Sequence, residues 1–142
     1  MNTRLVHGTS LIVRGKGFLI QGPSAVGKSD LALRLLYEAD GILISDDYTD
    51  VKEIDGKWQL SSPKATKGIL EVRGLGLVVL PDHQKVETGP LDFVITLSDS
   101  PLRRLPEPEQ CSIFKVPLYS MTSFEPSLIS KILVLANNLS FL

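Results

Sequence analysis

The chain has 142 residues, of which 43% are hydrophobic and 22% are charged, an ordinary composition for one globular domain spanning residues 1–142. Its 15 Lys and Arg residues nearly balance 16 Asp and Glu residues. The resulting net charge of −1 gives no electrostatic case for nucleic acid or an anionic membrane as the main partner. The lone cysteine, Cys111, excludes an intramolecular disulfide and a site built from several thiolates. Because no apolar run has membrane-spanning length and no signal-peptide core is present, the expected location is the cytoplasm.

The hydrophobic pattern predicts many strands and two helices. In chain order the predicted elements are a hairpin formed by residues 10–14 and 18–20, a helix over 30–37, a buried strand over 41–45, a second hairpin formed by 49–54 and 57–60, strands over 69–73, 77–80 and 92–97, and a helix over 124–139. Residues 99–110, with three prolines and five charges, are predicted to form a loop. This order is not the regular strand–helix alternation of a doubly wound nucleotide-binding fold.

The most informative segment is GPSAVGKS at residues 22–29, which has the phosphate-loop spacing Gly-x-x-x-x-Gly-Lys-Ser. A predicted strand precedes it and a predicted helix follows it, so the helix N-terminus would face the bound anion. In such a loop backbone N–H groups cradle phosphate oxygens, the lysine reaches the β- and γ-phosphates, and the serine hydroxyl can ligate Mg²⁺. We therefore predict that nucleotide phosphates bind to Gly22, Pro23, Ser24, Ala25, Val26, Gly27, Lys28 and Ser29.

Two carboxylates follow the buried strand over residues 41–45. A metal-bound triphosphate requires a carboxylate at the end of a neighbouring strand, close to Mg²⁺ or to the attacking group. Because side chains alternate along an extended backbone, Asp46 and Asp47 are predicted to face opposite sides and to have separate roles. One would act as a base or metal ligand at the γ-phosphate, and the other would orient its neighbours. The alternative is an Asp-Asp turn that only closes the strand.

Three further groups carry weaker indications of chemistry. Glu71 and Arg73 share one face of a strand, where they would bind Mg²⁺ and clamp phosphate or, alternatively, form a solvated ion pair. His7 precedes the first predicted strand, and a histidine by itself is more often structural than functional. Arg103 and Arg104 lie in the proline-rich loop, where a solvated position is a better explanation than closure over phosphate.

Taken together, these segments resemble the catalytic domain of HPr kinase/phosphorylase, a bifunctional enzyme that phosphorylates a serine of the phosphocarrier protein HPr. His7-Gly8 is similar to the family's His-Gly, and GPSAVGKSDLAL is similar to its phosphate loop. Ser45-Asp46-Asp47 resembles its paired aspartates, and LEVRGLGLVV at residues 70–79 resembles its Leu-Glu-Ile-Arg-Gly-Leu-Gly signature. Four motifs in this order are much more specific than any one of them.

The resemblance implies an α/β fold related to phosphoenolpyruvate carboxykinase: a strand-rich phosphate-loop domain with a mixed sheet, a phosphate-loop helix and a C-terminal helix. It implies an ATP- and Mg²⁺-dependent serine kinase that acts on HPr or a related carrier of a bacterial phosphotransferase system. It also implies a homo-oligomer, which is a hexamer in the family. The residue roles that it implies are catalysis by His7, Lys28, Asp46, Asp47 and Arg73, and Mg²⁺ binding by Ser29 and Glu71. Asp47 would take the proton of the acceptor serine and return it when inorganic phosphate attacks phosphoserine.

The sequence departs from the family in three ways. The N-terminal domain of the family's long form is absent from these residues, so the resemblance implies a short form. The family's Pro-Gly-Arg-Asn-type segment has no match in residues 116–127, which leaves the phosphorylase direction open, and Ala25 stands where the family has glycine. The alternatives are a small-molecule phosphotransferase with the same loop and a regulatory nucleotide-binding module with little turnover.

Overall fold

The computed structural model describes residues 2–23, 25–100, 102 and 105–137, which form three sheets and two α-helices. The strands in chain order are β1 Thr3–His7, β2 Thr9–Val13, β3 Lys16–Gln21, β4 Ile42–Ser45, β5 Tyr48–Ile54, β6 Lys57–Ser61, β7 Ile69–Val72, β8 Gly76–Val79, β9 Thr88–Pro90, β10 Phe93–Ser98, β11 Glu109–Gln110 and β12 Pro117–Thr122. The helices are α1 Lys28–Glu38 and α2 Leu128–Ala136. Within the described ranges, no helix is both long enough and apolar enough to cross a membrane.

The central sheet has six strands in the order β11-β12-β10-β3-β2-β4. Strand β10 runs parallel to β3 and β12, whereas β2 runs antiparallel to both β3 and β4. The predicted mixed sheet is thus confirmed, and the regular strand–helix alternation is absent here because β2 and β3 are joined by a hairpin turn.

Both faces of β3 are buried, as its apolar run predicts. Phe18 and Ile20 point into a core that the sheet shares with α1 and α2. Leu19, between them, points to the opposite face, where the antiparallel sheet β1-β5-β6-β9 packs through Val51 and Leu60. Helix α1 covers the first face with a buried apolar stripe of Leu31, Ala32, Leu35 and Leu36. Burial of each leucine in this stripe contributes about 1.5–3 kcal/mol, so the helix that follows the phosphate loop is firmly held.

Most of the predicted elements are confirmed, including both hairpins and the helix after the phosphate loop. Strands β1, β9, β11 and β12 were not predicted. Strand β1 is exposed along most of its length, so no alternation of apolar and polar residues marks it. It forms because its backbone pairs with β5.

The predicted helix over residues 124–139 is wrong at its start. The helix begins at Leu128, because Phe124 has a left-handed φ of 59° and residues up to Ser127 form a turn. Leu128 and Ile132 of its predicted apolar stripe are buried. Leu139, Ser24, Arg103 and Arg104, on which other predictions fell, lie outside the described residues.

Candidate active site

Three neighbouring strands bring most of the predicted site residues to one edge of the central sheet. Because β2 lies between β3 and β4 and is antiparallel to both, the carboxyl ends of β3 and β4 share the edge at which β2 begins. The phosphate loop leaves β3 at this edge, and the two aspartates follow β4. His7 and Thr9 lie where the chain enters β2. The register pairs Thr9 with Ile20 and Ser10 with Ser45.

The phosphate loop contains two positions that only glycine fills without strain. Gly22 has a φ of 152°, and a Cβ there would lie 2.6 Å from the carbonyl oxygen of Leu97. Gly27 has a φ of 106°, and its Cβ would lie 2.9 Å from Cζ of Phe124. Ala25 also has a positive φ, 63°, which gives the physical reason why glycine is the easier residue at this point of the loop.

The side chain of Lys28 lies against the loop that it follows. Its Nζ donates hydrogen bonds to the carbonyl oxygens of Gly22 at 2.8 Å and Pro23 at 3.0 Å. Burial lowers the pKa of Lys28 from 10.5, while the carboxylates of Asp47 and Asp46 act in the opposite direction. The ammonium group is therefore held at the loop by carbonyl oxygens and nearby carboxylates, in position to meet an incoming phosphate.

Asp46 is buried and connects three segments of the site. Its Oδ1 accepts hydrogen bonds from the hydroxyls of Ser29 at 2.8 Å and Thr9 at 3.0 Å, and its Oδ2 accepts from the backbone N–H of Glu71 at 3.2 Å. The side chain thus links the start of α1, the start of β2 and strand β7. This arrangement suits a residue that orients its neighbours.

Asp47 has a different environment from Asp46. It is exposed, and its Oδ1 lies 3.1 Å from Nε2 of His7, so the tautomer with a proton on Nε2 donates to the carboxylate. The two aspartates face different surroundings, as predicted, but not through an extended backbone, because Asp47 has a φ of 68°. This left-handed turn directs the carboxylate away from the core.

The phosphate loop and these side chains line one cavity of about 420 Å³. Its lining includes His7, Lys28, Ser29, Asp47, Glu71 and Arg73 from the predicted set. The other predicted catalytic residue, Asp46, lies behind this wall and contacts Ser29. The structure therefore brings together the predicted site residues that it describes, while their roles stay predictions.

The chemistry of the donors at this cavity fits Mg²⁺. Ser29 and Glu71 line the cavity and offer hydroxyl and carboxylate oxygens, which are the ligands that this hard cation prefers, and Asp46 behind them accepts a hydrogen bond from Ser29. No group of three His, Cys, Asp or Glu side chains that could enclose a metal occurs among the described residues.

The structure adds residues that the sequence analysis did not assign to the site. Thr9 bonds to Asp46, and its position two residues after His7 was a signal that could have been used. Leu33 of α1 and Phe124 also line the cavity. Phe124 is distant in sequence and carried no motif, so only the fold reveals it.

A family model, curated relatives and a solved structure all relate this chain to HPr kinases, as its sequence motifs implied. The family model described as HPr Serine kinase C-terminal domain matches residues 1–96, a range that contains every predicted site residue. HPr kinase/phosphorylase of Clostridium tetani is 51% identical over 79 residues, which cover 56% of this chain and 25% of that protein. The protein of the same name from Clostridium beijerinckii is 50% identical over 76 residues, which cover 54% of this chain and 24% of that protein. This chain thus spans about a quarter of the length of these curated relatives.

The fold agrees over almost the whole chain. The solved structure of the Hpr(Ser) kinase/phosphatase from Coxiella burnetii matches with a TM-score of 0.81 and 25% sequence identity. The match covers 95% of this chain and 89% of that one, so it extends past the residues that the family model covers. The chain belongs to the HPr serine kinase C-terminal domain family.

Proposed function

We propose that this chain transfers the γ-phosphoryl group of ATP to a serine hydroxyl of an HPr-type phosphocarrier protein. The observation that carries the proposal is the exposed Asp47, bonded to His7 and lying in one cavity with Lys28 of the phosphate loop. A base and a phosphate-binding loop in one cavity are what phosphoryl transfer to a hydroxyl requires.

In the proposed reaction, the serine oxygen forms a bond to the γ-phosphorus while the bond from that phosphorus to the bridging oxygen of ADP breaks. The serine proton passes to Asp47, whose orientation is fixed by the N–H of His7. Lys28 and the backbone N–H groups of the loop stabilise the phosphate charge. Ser29 and Glu71 would hold Mg²⁺, with Asp46 orienting the Ser29 hydroxyl, and the cation would neutralise charge on the phosphates.

A protein substrate is favoured over a metabolite by the surface beside the cavity. The hairpin of β7 and β8 carries Leu75, Leu77 and Val79, which are 81%, 75% and 73% exposed. Leu77 pairs directly with Glu71, whose neighbour Arg73 also lines the cavity. Exposed apolar side chains grouped on one hairpin are typical of interaction sites, and this hairpin also contributes Glu71 and Arg73 to the cavity lining. We propose that the carrier protein docks on it with an apolar patch beside its serine.

The proposal also places the chain in the cytoplasm and in a homo-oligomer, as the family resemblance implies. It is tested by incubating the purified chain with Mg²⁺, radiolabelled ATP and an HPr-type carrier, followed by analysis for phosphoserine. We expect label on the carrier serine, and none on a carrier whose serine is replaced by alanine. Normal ATP binding without transfer to any carrier would support a regulatory module instead, and label on a metabolite would support a small-molecule kinase.

The variant Asp47→Asn separates the base from the rest of the site. It should bind ADP as the unchanged protein does, because Asp47 is exposed and its carboxylate hydrogen-bonds only to His7 among the residues that the structure describes. It should nevertheless lose transfer, because an amide cannot take the serine proton. Transfer at the normal rate by this variant would remove Asp47 from the role of base.

A further inference from the structure

Phe124 is an apolar side chain in an unexpected place. It is 65% exposed, and its backbone has a φ of 59°, a conformation that bulky residues rarely adopt. It lies in the turn between β12 and α2 and lines the cavity that holds the phosphate loop. Neither burial nor local backbone preference explains a phenylalanine at this position.

The neighbours of Phe124 hold its backbone in place. Both the N–H and the hydroxyl of Ser123 donate hydrogen bonds to the carbonyl oxygen of Ser98, at 2.8 Å and 3.2 Å. Glu125 accepts a hydrogen bond from Lys131 of α2 at 2.5 Å. The turn is therefore fixed on each side of Phe124, and the ring is presented to the cavity by preformed structure.

The ring meets the phosphate loop end-on. A Cβ on Gly27 would lie 2.9 Å from Cζ of the ring, and 3.4 Å and 3.5 Å from the two Cε atoms. The ring therefore approaches Gly27 with its tip, which leaves its faces uncovered. The same cavity is lined by Asp30 and Leu33 of α1, which follows Gly27. An exposed aromatic ring therefore lies in the same cavity as the phosphate loop.

From this geometry we propose that Phe124 stacks on the base of the bound nucleotide. The inference rests on the proposed function, because it requires that a nucleotide occupies the phosphate loop. The ligand is a nucleoside di- or triphosphate whose phosphates lie in the loop and whose base lies on the ring of Phe124. Because every base has a π-face, such stacking stabilises purine nucleotides with little discrimination between adenine and guanine.

The test compares ADP with inorganic pyrophosphate, which has the phosphates but no base, by calorimetric titration of the full chain. Phe124→Ala should weaken ADP binding about 5- to 150-fold, the range for loss of one base–aromatic stack. It should change pyrophosphate binding less than about twofold, and Phe124→Tyr should restore the ADP affinity. Tyr37→Ala, which removes an equally exposed aromatic ring from α1 at a position that does not line the cavity, is the matched control.

A spectroscopic measurement gives a second readout. The chain has one tryptophan, Trp58, which packs against Phe114 in the core on the other face of the central sheet. In Phe124→Trp, ADP should quench the new fluorescence and pyrophosphate should not.

The outcomes separate the inference from the proposed function. Equal weakening of ADP and pyrophosphate by Phe124→Ala would show that the ring only shapes the loop, and unchanged ADP affinity would show that it does not touch the nucleotide. Either result would overturn the inference and leave the phosphate-loop function standing. If the unchanged protein bound neither ligand, the proposed function would fail together with the inference.

Discussion

Replacement of Asp46 by alanine tests whether one buried carboxylate holds the site together. This side chain accepts hydrogen bonds from Ser29, Thr9 and the backbone N–H of Glu71, and the residue is only 6% exposed. Alanine leaves all three donors without this acceptor. Asp47, its neighbour in sequence, has a side chain that is 66% exposed, and Asp47→Ala is therefore the matched control.

The expected magnitude follows from these contacts. A buried donor that loses its partner costs about 1–3 kcal/mol, and the three bonds share one acceptor group, so their losses do not add in full. Removal of a buried charge offsets part of the cost. We expect Asp46→Ala to lower the free energy of unfolding by about 2–4 kcal/mol, equivalent to a fall in Tm of about 6–15 °C for a chain of this size. Asp47→Ala should lower it by no more than about 1 kcal/mol, which includes the cost of alanine at the left-handed φ of 68°.

Urea and thermal unfolding of both variants measure this difference, and ADP titration gives the functional counterpart. Asp46→Ala should also weaken ADP binding, because it releases Ser29 of the phosphate loop. Asp46→Asn should recover part of the stability, since its amide can donate to the two hydroxyls while its carbonyl oxygen accepts from Glu71. Equal stability of the two alanine variants would refute the idea that Asp46 connects the three segments.

Three further predictions concern the substrate surface and two titrating groups. Leu77→Asp should raise the KM for the carrier protein about tenfold or more without changing ADP affinity. The control is Ile113→Asp, which should change neither quantity, because Ile113 is exposed in the turn before β12 at the opposite end of the central sheet. Equal effects of the two variants would contradict docking on the hairpin of β7 and β8. Because burial lowers the pKa of Lys28 from 10.5, ADP affinity should fall with rising pH at a lower pH than this ordinary lysine value. A titration series in which affinity falls only around or above pH 10.5 would contradict this. The hydrogen bond from Lys131 lowers the pKa of Glu125 below 4.5, although burial opposes this shift. The stability that the bond contributes is therefore fully present above pH 4.5 and is lost as the pH falls through the pKa of Glu125 in the folded state. Glu125→Gln should therefore lower Tm at neutral pH and make Tm less sensitive to acidic pH. Parallel curves of Tm against pH for the variant and the unchanged protein would argue against this ion pair.

The parts of the site that sequence could predict are those whose physics is local. The phosphate loop needs glycines at set positions, a lysine and a hydroxyl, all within eight residues, and the helix that follows has an apolar stripe. The hairpin of β5 and β6 turns at Asp55-Gly56, where both residues have the positive φ that such turns demand. Each of these features is visible in a window of a few residues.

The parts that could not be predicted depend on pairing between distant segments. His7 reaches Asp47 because β1 pairs with β5, and an exposed strand gives no periodic signal of its own. Phe124 was predicted to begin a helix, since the residues after it have helical spacing. Tertiary hydrogen bonds from Ser123 to Ser98 instead hold this segment as a turn. Both residues enter the site through long-range contacts that propensity does not contain.

The position of Asp46 shows how a single irregularity of the sheet decides the chemistry. In the pairing of β2 with β4, Leu11 lies opposite Leu43 but Ser10 lies opposite Ser45, so Ile44 is an extra residue in a bulge. Continued regularly from Leu11, the ladder would place Ser45 opposite Thr9 and leave Asp46 opposite Gly8, which has no side chain to bond it. The bulge advances the chain by one residue and puts Asp46 beside Thr9, where their side chains lie 3.0 Å apart. Nothing in the run Ile42-Leu43-Ile44-Ser45 marks a bulge, because its residues all suit a regular strand. The extra residue is therefore selected by the contacts that it makes possible, and the hydrogen-bonding of Asp46 is part of what fixes the register of β4.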